Sequence, residues 1–389
     1  MKRSNDRILT THVGSLPRPD DLFELMLARM DGKPVDDGAY AARVRQAVED
    51  SVKQQVDAGL DVVSDGEMGK PSFITYASQR LAGLEKREGN RPSPFSNTRE
   101  TRDFPEYYQS QVAEQVSARR RRALMVCSGP IAYKGQAQLK ADLDTLKAAL
   151  TNVSVTEAFV PAIAPSNIEC TSPNEYYPTA EKYVFAIAEA MREEYKAIVD
   201  AGFLLQIDDP FLVTYYITRP ELSVAECRKW AELRVEALNH ALEGIPAGRV
   251  RFHTCYSINM GPRIHDMQLK DIIDIILKVK AQGFTFEAAN PRHEHEFDEW
   301  KRAEVPDDKI LIPGVITQST VLVEHPELVA QRLIRFAGVV GRERVIASAD
   351  CGFASFAGSN EVHPSIVWAK FKALVDGAKL ASGQLWKHR

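Results

Sequence analysis

With 389 residues, 44% of them hydrophobic, the chain is long enough to bury one large core or two smaller ones. A formal net charge of −4 gives no general attraction to nucleic acid or to an acidic membrane, and no run of about 18 apolar residues is present to span a bilayer. Five cysteines, at positions 127, 170, 227, 255 and 351, are odd in number and widely scattered, which argues against a disulfide scaffold.

The N-terminus, MKRSNDRILTTHVGS, carries neither an apolar signal core nor a transit-peptide character, so a cytoplasmic protein is expected. The first strand candidate is RILTTHVGS, residues 7–15. A helix over 41–58 follows, with Val44, Ala47, Val48, Val52 and Val56 at helical spacing; Gly59 stops it and the apolar run LDVVSDGE comes next. Residues 84–122 are polar and show little periodicity. They read as an insertion, with a lid, an oligomer contact and a mobile loop as its three candidate roles. The run Arg119 to Arg122 inside it reads as a solvated face.

Segments 123–131 and 157–164 compete for one strand, and TSPNEYYPT at 171–179 is a second long loop whose tyrosines are expected to pack. The helix-glycine-strand pattern recurs in EAMREEYKAIVDAG before FLLQIDDP, and in DIIDIILKVKAQG before FTFEAAN. VRFHTCYS (250–257), KILIPGVI (309–316) and RVIASADCGF (344–353) complete eight or nine strands. Their alternation with helices predicts an α/β fold, a (β/α)8 TIM barrel forming one domain over 1–389 with the polar insertion around 84–122. A doubly wound sheet is the second choice, but no GxGxxG follows any strand.

Polar residues fall at the ends of these strands: Glu67, Asp208, Asp209, His253, Cys255, Glu287 and Cys351. In a βα barrel such ends converge on one mouth. Within the set, His253, Cys255, Glu287 and Cys351 make a shell of nitrogen, carboxylate and two thiolates, which suits Zn2+ rather than magnesium or calcium. Such an electron-rich zinc is a poor activator of water and a good holder of a further sulfur ligand as a thiolate. Each residue alone has a plainer reading: a strand-end cysteine is usually an inert apolar residue, Glu67 can cap a helix, and an aspartate before Asp-Pro can start a turn.

The segments TTHVGSLPRP, VVSDGE, QIDDP, HTCYS, FEAAN and ADCGF, in this order, resemble the C-terminal catalytic barrel of cobalamin-independent methionine synthase. The resemblance implies zinc ligands at His253, Cys255, Glu287 and Cys351, and homocysteine contacts at Val13, Gly14 and Ser15, at Glu67 and at Asp208. Two carboxylates suit an α-ammonium, and backbone N–H groups near Gly14 and Ser15 suit the α-carboxylate. The implied reaction is attack of a zinc-bound homocysteine thiolate on a methyl donor, a folate or a corrinoid, giving methionine. His12 stands where the family usually has threonine and is a candidate acid or base.

The sequence departs from the family at Ser319, in place of a proton-donating histidine, and at Thr214, in place of a glutamate. His265, Asp266, Asn290 and Asp350 are further residues expected near the mouth. Two alternatives accompany this reading. A coenzyme M transferase of the epoxyalkane type would call for a cationic clamp where the chain has Glu67 and Asp208, and an inactive zinc- or thiol-binding barrel would keep the shell without turnover.

Overall fold

A computed structural model describes residues 1–90, 96–115, 123–256, 261–357 and 362–387. Ten strands occur among them: β1 (Leu9–Thr10), β2 (Val62–Val63), β3 (Leu81–Asn90), β4 (Ala123–Tyr133), β5 (Glu157–Ile163), β6 (Leu204–Asp208), β7 (Val250–Thr254), β8 (Gly283–Phe286), β9 (Ile310–Ile316) and β10 (Ile346–Ala349). Eight form one parallel sheet in the order β1-β10-β9-β8-β7-β6-β5-β2. Its two edges meet: Asp61 N–H donates to Thr10 O at 3.0 Å, and the Thr11 hydroxyl donates to Val62 O at 3.0 Å. The predicted α/β barrel is therefore present, with helices between its strands.

The competition for the third barrel position goes to β5, which pairs β2 and β6. Residues 123–133 instead pair antiparallel with β3. The insertion is thus a long hairpin beginning at Leu81 and ending at Tyr133, wider than the polar run 84–122 that marks it in the sequence. Helices Arg99–Asp103 and Pro105–Gln115 lie between its strands. The arginine run 119–122 lies outside the described residues. The loop 171–179 packs along β4, where Cys127 N–H donates to Pro173 O and Glu175 N–H to Cys127 O. Tyr177 stacks on Tyr183, as expected of a packing residue, while Tyr176 faces outward.

Two of the three helix-glycine-strand junctions form as read. Asp37–Asp57 and Ala180–Asp200 are helices, ended by Gly59 and Gly202 at φ +90° and +97°, a backbone region that glycine enters at little cost. The third does not. Before β8 the helix is only Ile273–Ile276; beyond it the chain continues in i→i+3 turns, and the Asn239 side chain bridges Lys278 O and Lys280 N–H.

Period-two alternation sorts each strand. Leu9, Ile310, Ile312 and Ile346 pack on Met1, as do Val62, Phe159 and Leu204, and these apolar groups fill the N-terminal end of the barrel. One step along, Gln206 and Arg251 are paired in register. The Arg251 guanidinium reaches across the interior to the Thr11 hydroxyl and His12 O, at 3.0 and 2.8 Å. One step further, Asp208 and His253 arrive side by side at the C-terminal mouth.

Candidate active site and metal centre

Strand β7 and the residue after it carry His253 and Cys255 on one face, and the turn after β10 brings Cys351 to them. Ligand atoms of His253, Cys255 and Cys351 all lie within 4.8 Å of one another, and the two sulfurs are 3.3 Å apart. All three residues are buried. Among the described residues neither buried ring nitrogen of His253 makes a hydrogen bond of good geometry, the Cys255 thiol beside the ring included, a costly state for an imidazole unless a cation takes one of them. The Cys351 thiol and burial together push the Cys255 thiol well above its ordinary value, as two close sulfurs do when no cation offsets them. An orphaned imidazole beside two thiols is a donor set that fits zinc.

Glu287, the fourth expected ligand, lies outside this group of three. Its Oε1 accepts from Tyr256 N–H at 2.9 Å, and its Oε2 accepts from Arg263 at 3.1 Å and from Asn290 Nδ2 at 2.5 Å. Arg263 and Asn290 thus orient the carboxylate that the sequence assigned to a metal. Arg263 also contacts Asp266, and His293 bridges Asp266 and Glu296 at 3.0 and 2.9 Å while stacking on Tyr256. Burial opposes a proton on His293, but Asp266 and Glu296 outweigh it and push its pKa up to about 9. Asp266 therefore belongs to the network. His265 instead faces the insertion: its N–H donates to Glu100 at 3.0 Å and its ring meets Asp103 at 2.5 Å.

Asp350 lies beneath the Glu287 loop. Its carboxylate accepts the N–H groups of Ala288, Ala289 and Asn290 at 2.8 to 2.9 Å. A register shift between Ser348 and Ala349 turns the chain so that Asp350 takes this place while Cys351 joins the thiol pair. Gly314 makes room for it, since a Cβ there would stand 2.2 Å from Asp350 Oδ1.

On the other side of the mouth, Glu67 is no helix cap; it adopts φ +57° in a tight turn, its N–H donating to Asp65 Oδ1 at 2.9 Å. Arg18, from the quoted segment TTHVGSLPRP, ties this turn by donating to Glu67 O and Lys70 O at 2.9 and 2.7 Å. Of the three described non-glycine residues at positive φ, Glu67 and Arg263 belong to this mouth, which is where such backbone conformations concentrate. Asp208 and Asp209 divide their work. Asp209 is buried and accepts from Leu212 N–H and Asn167, starting the next helix. Asp208 keeps partial exposure; burial, with Glu67 nearby, raises its pKa to about 7, against the pull of His253, Gln206 and Lys70.

His12 is placed elsewhere than an acid or base at the mouth would be. It is 1% exposed, its Nδ1 accepts from Gly14 N–H at 3.2 Å, and its Nε2 meets Gln55 Oε1 at 2.8 Å. Both nitrogens hold the scaffold, and burial with Arg251 lowers the pKa to about 3. The Gly14 N–H is accordingly spent inside the protein, whereas Ser15 packs near Ser355 and accepts Phe353 N–H on its carbonyl, and Val13 O accepts from Gln206. Ser319 hydrogen-bonds Thr317 at 2.8 Å, and Thr214 is buried on Pro210 O. Arg263, His293 and Lys70 are not singled out by the sequence because each pairs through a turn whose shape the sequence does not announce, Arg263 and His293 also with the distant Glu287 and Asp266. Each left a local trace, an acid three residues away: Asp266, Glu296 and Glu67.

A parallel βα barrel with two carboxylates and a buried His-Cys-Cys group at its C-terminal mouth, a group that could hold a metal ion, is the arrangement of a barrel enzyme whose site lies at the strand ends. The chain belongs to the family described as cobalamin-independent synthase, catalytic domain, whose pattern matches residues 8–91 and 111–375. It is 27% identical over 347 residues to a methionine synthase of Thermococcus kodakarensis, covering 88% of this chain and 86% of that protein. With a methionine synthase of Saccharolobus islandicus it shares 25% over 385 residues, covering 97% and 95%. The fold is also that of a B12-independent methionine synthase from Shewanella, solved with selenomethionine, at TM-score 0.71 and 19% identity over 98% of this chain and 100% of that one. Among the described residues no helix is long and apolar enough to cross a membrane.

Proposed function

We propose that this protein is a zinc-dependent thiol methyltransferase that methylates homocysteine to methionine in the cytoplasm. The observation that carries this reading is the buried His253-Cys255-Cys351 group, in which the imidazole makes no well-formed hydrogen bond among the described residues. Zinc held there would lower the pKa of the incoming thiol and present it as a nucleophile. His253, Cys255 and Cys351 supply three donors, and Glu287 the fourth, with Arg263 and Asn290 as its supporting partners. Glu67 and Asp208 receive the α-ammonium by charge-assisted hydrogen bonds, and the turn at Val13, Gly14 and Ser15 borders the rest of the amino acid. The donor is a methylated folate or corrinoid.

The methionine synthases to which the chain is similar support homocysteine over coenzyme M as acceptor. So does the carboxylate pair, which would repel a sulfonate. A matrix of methyl donors against thiols, run on zinc-loaded protein and read by product mass, tests the reading. Methylated homocysteine from one donor is the expected result. Zinc and homocysteine binding without turnover on any donor would instead establish an inactive binding barrel. Glu67→Gln should weaken homocysteine far more than a thiol lacking the amine, and equal losses would refute the ammonium site.

A further inference from the structure

Glu67 does not stand alone. Lys70, one turn on, is 4% exposed and places its ammonium 3.4 Å from Glu67 Oε1. The ammonium cannot swing away, because it also donates to Pro161 O at 2.8 Å and lies 5.0 Å from the centre of the Tyr76 ring. The backbone of the same turn is fixed at both ends by Arg18. Among the described residues Glu67 Oε2 accepts no hydrogen bond, so the pair leaves one carboxylate oxygen free while occupying the other.

The electrostatic setting gives this arrangement a purpose. Glu67 and Asp208 place two acidic side chains at one side of the mouth, and an ammonium would meet both only if each carboxylate is held at a fixed angle. Lys70 supplies the opposing charge from the protein side. Burial works against its ammonium, but Glu67 and Asp65 outweigh burial and keep it charged.

We propose that Lys70 is a positioning residue for amino-acid recognition: anchored on Pro161 O, it holds Glu67 Oε1 so that the carboxylate presents Oε2 to the substrate ammonium. The proposal rests on the reading of homocysteine as acceptor. It predicts that Lys70 governs discrimination between thiols with and without an α-amine, without touching either, and leaves zinc retention alone.

Calorimetric titration of the zinc-loaded full chain with L-homocysteine and with 4-sulfanylbutanoate, its deaminated analogue, tests this. The wild-type protein should favour homocysteine by about ten-fold or more, the scale of one hydrogen bond to a charged group. Without that preference the acceptor reading itself fails. In Lys70→Ala the preference should collapse to within about two-fold while zinc content is unchanged, and ethylammonium should restore it by refilling the vacated position. If Lys70→Ala keeps the full wild-type preference, or loses affinity equally for both thiols with no rescue, Lys70 is structural and the proposal is overturned. Should that variant not fold, Lys70→Gln makes the same comparison, since it is only one atom shorter and keeps an N–H donor while removing the charge.

Discussion

His12 offers a quantitative test of how the barrel interior treats a titratable group. The ring is buried, its Nδ1 accepts from Gly14 N–H and its Nε2 is therefore the protonated nitrogen facing Gln55 Oε1. Burial and the Arg251 charge hold its pKa at about 3 in the folded protein. In the unfolded chain it is about 6.5. Between these values the unfolded chain binds a proton that the folded protein refuses. Stability is therefore lost as pH falls through 6.5 towards 3, by about 1.4 kcal/mol for each unit below 6.5, or about 2 kcal/mol at pH 5. His12→Asn removes the titration and keeps an acceptor near the Nδ1 position. Urea unfolding followed by circular dichroism at pH 7.5 and pH 5 should show the wild type losing about 2 kcal/mol more than the variant over that interval. Every other titrating group is common to both proteins, so their contributions cancel in the difference. Parallel losses would mean that His12 protonates in the folded state, and the argument for a neutral scaffold residue would be wrong.

Three further outcomes are expected. Cys351→Ser should purify without stoichiometric zinc, and the stability difference between chelated and metal-loaded protein, present in the wild type, should vanish; metal analysis and thermal melts check this. Gly314→Ala puts a Cβ 2.2 Å from Asp350 Oδ1 and must displace the carboxylate that holds three N–H groups of the Glu287 loop, so a loss of about 3 kcal/mol or more is expected in urea unfolding, together with weaker zinc affinity. Glu100→Ala removes the acceptor of His265 N–H, one of two ties, with Asp103 on the His265 ring, between the hairpin insertion and the loop bearing Arg263, and should speed proteolytic nicking of the insertion at unchanged global stability.

The sequence by itself determined which residues reach the mouth. Strand alternation is local, so the period-two spacing of His253 and Cys255, the acids closing LLQID and FTFE, and the cysteine after VIASAD could be placed at strand ends without coordinates. The barrel was legible for the same reason, through helix periodicity and the two glycine stops that formed as read. At the failed third stop, before β8, the stretch after the short helix is tied to Asn239, which is 39 and 41 residues from the carbonyl and amide it captures, a contact no local pattern announces. Partnership within the mouth was likewise a tertiary decision. That Arg263 holds Glu287, whether His12 is an acid or a beam, which of Asp208 and Asp209 stays open, and that Lys70 shares Glu67, all turn on contacts fixed only when the barrel closes. Spacing along a strand sets the direction of a side chain; charge, burial and the neighbour it meets there are set by the rest of the fold.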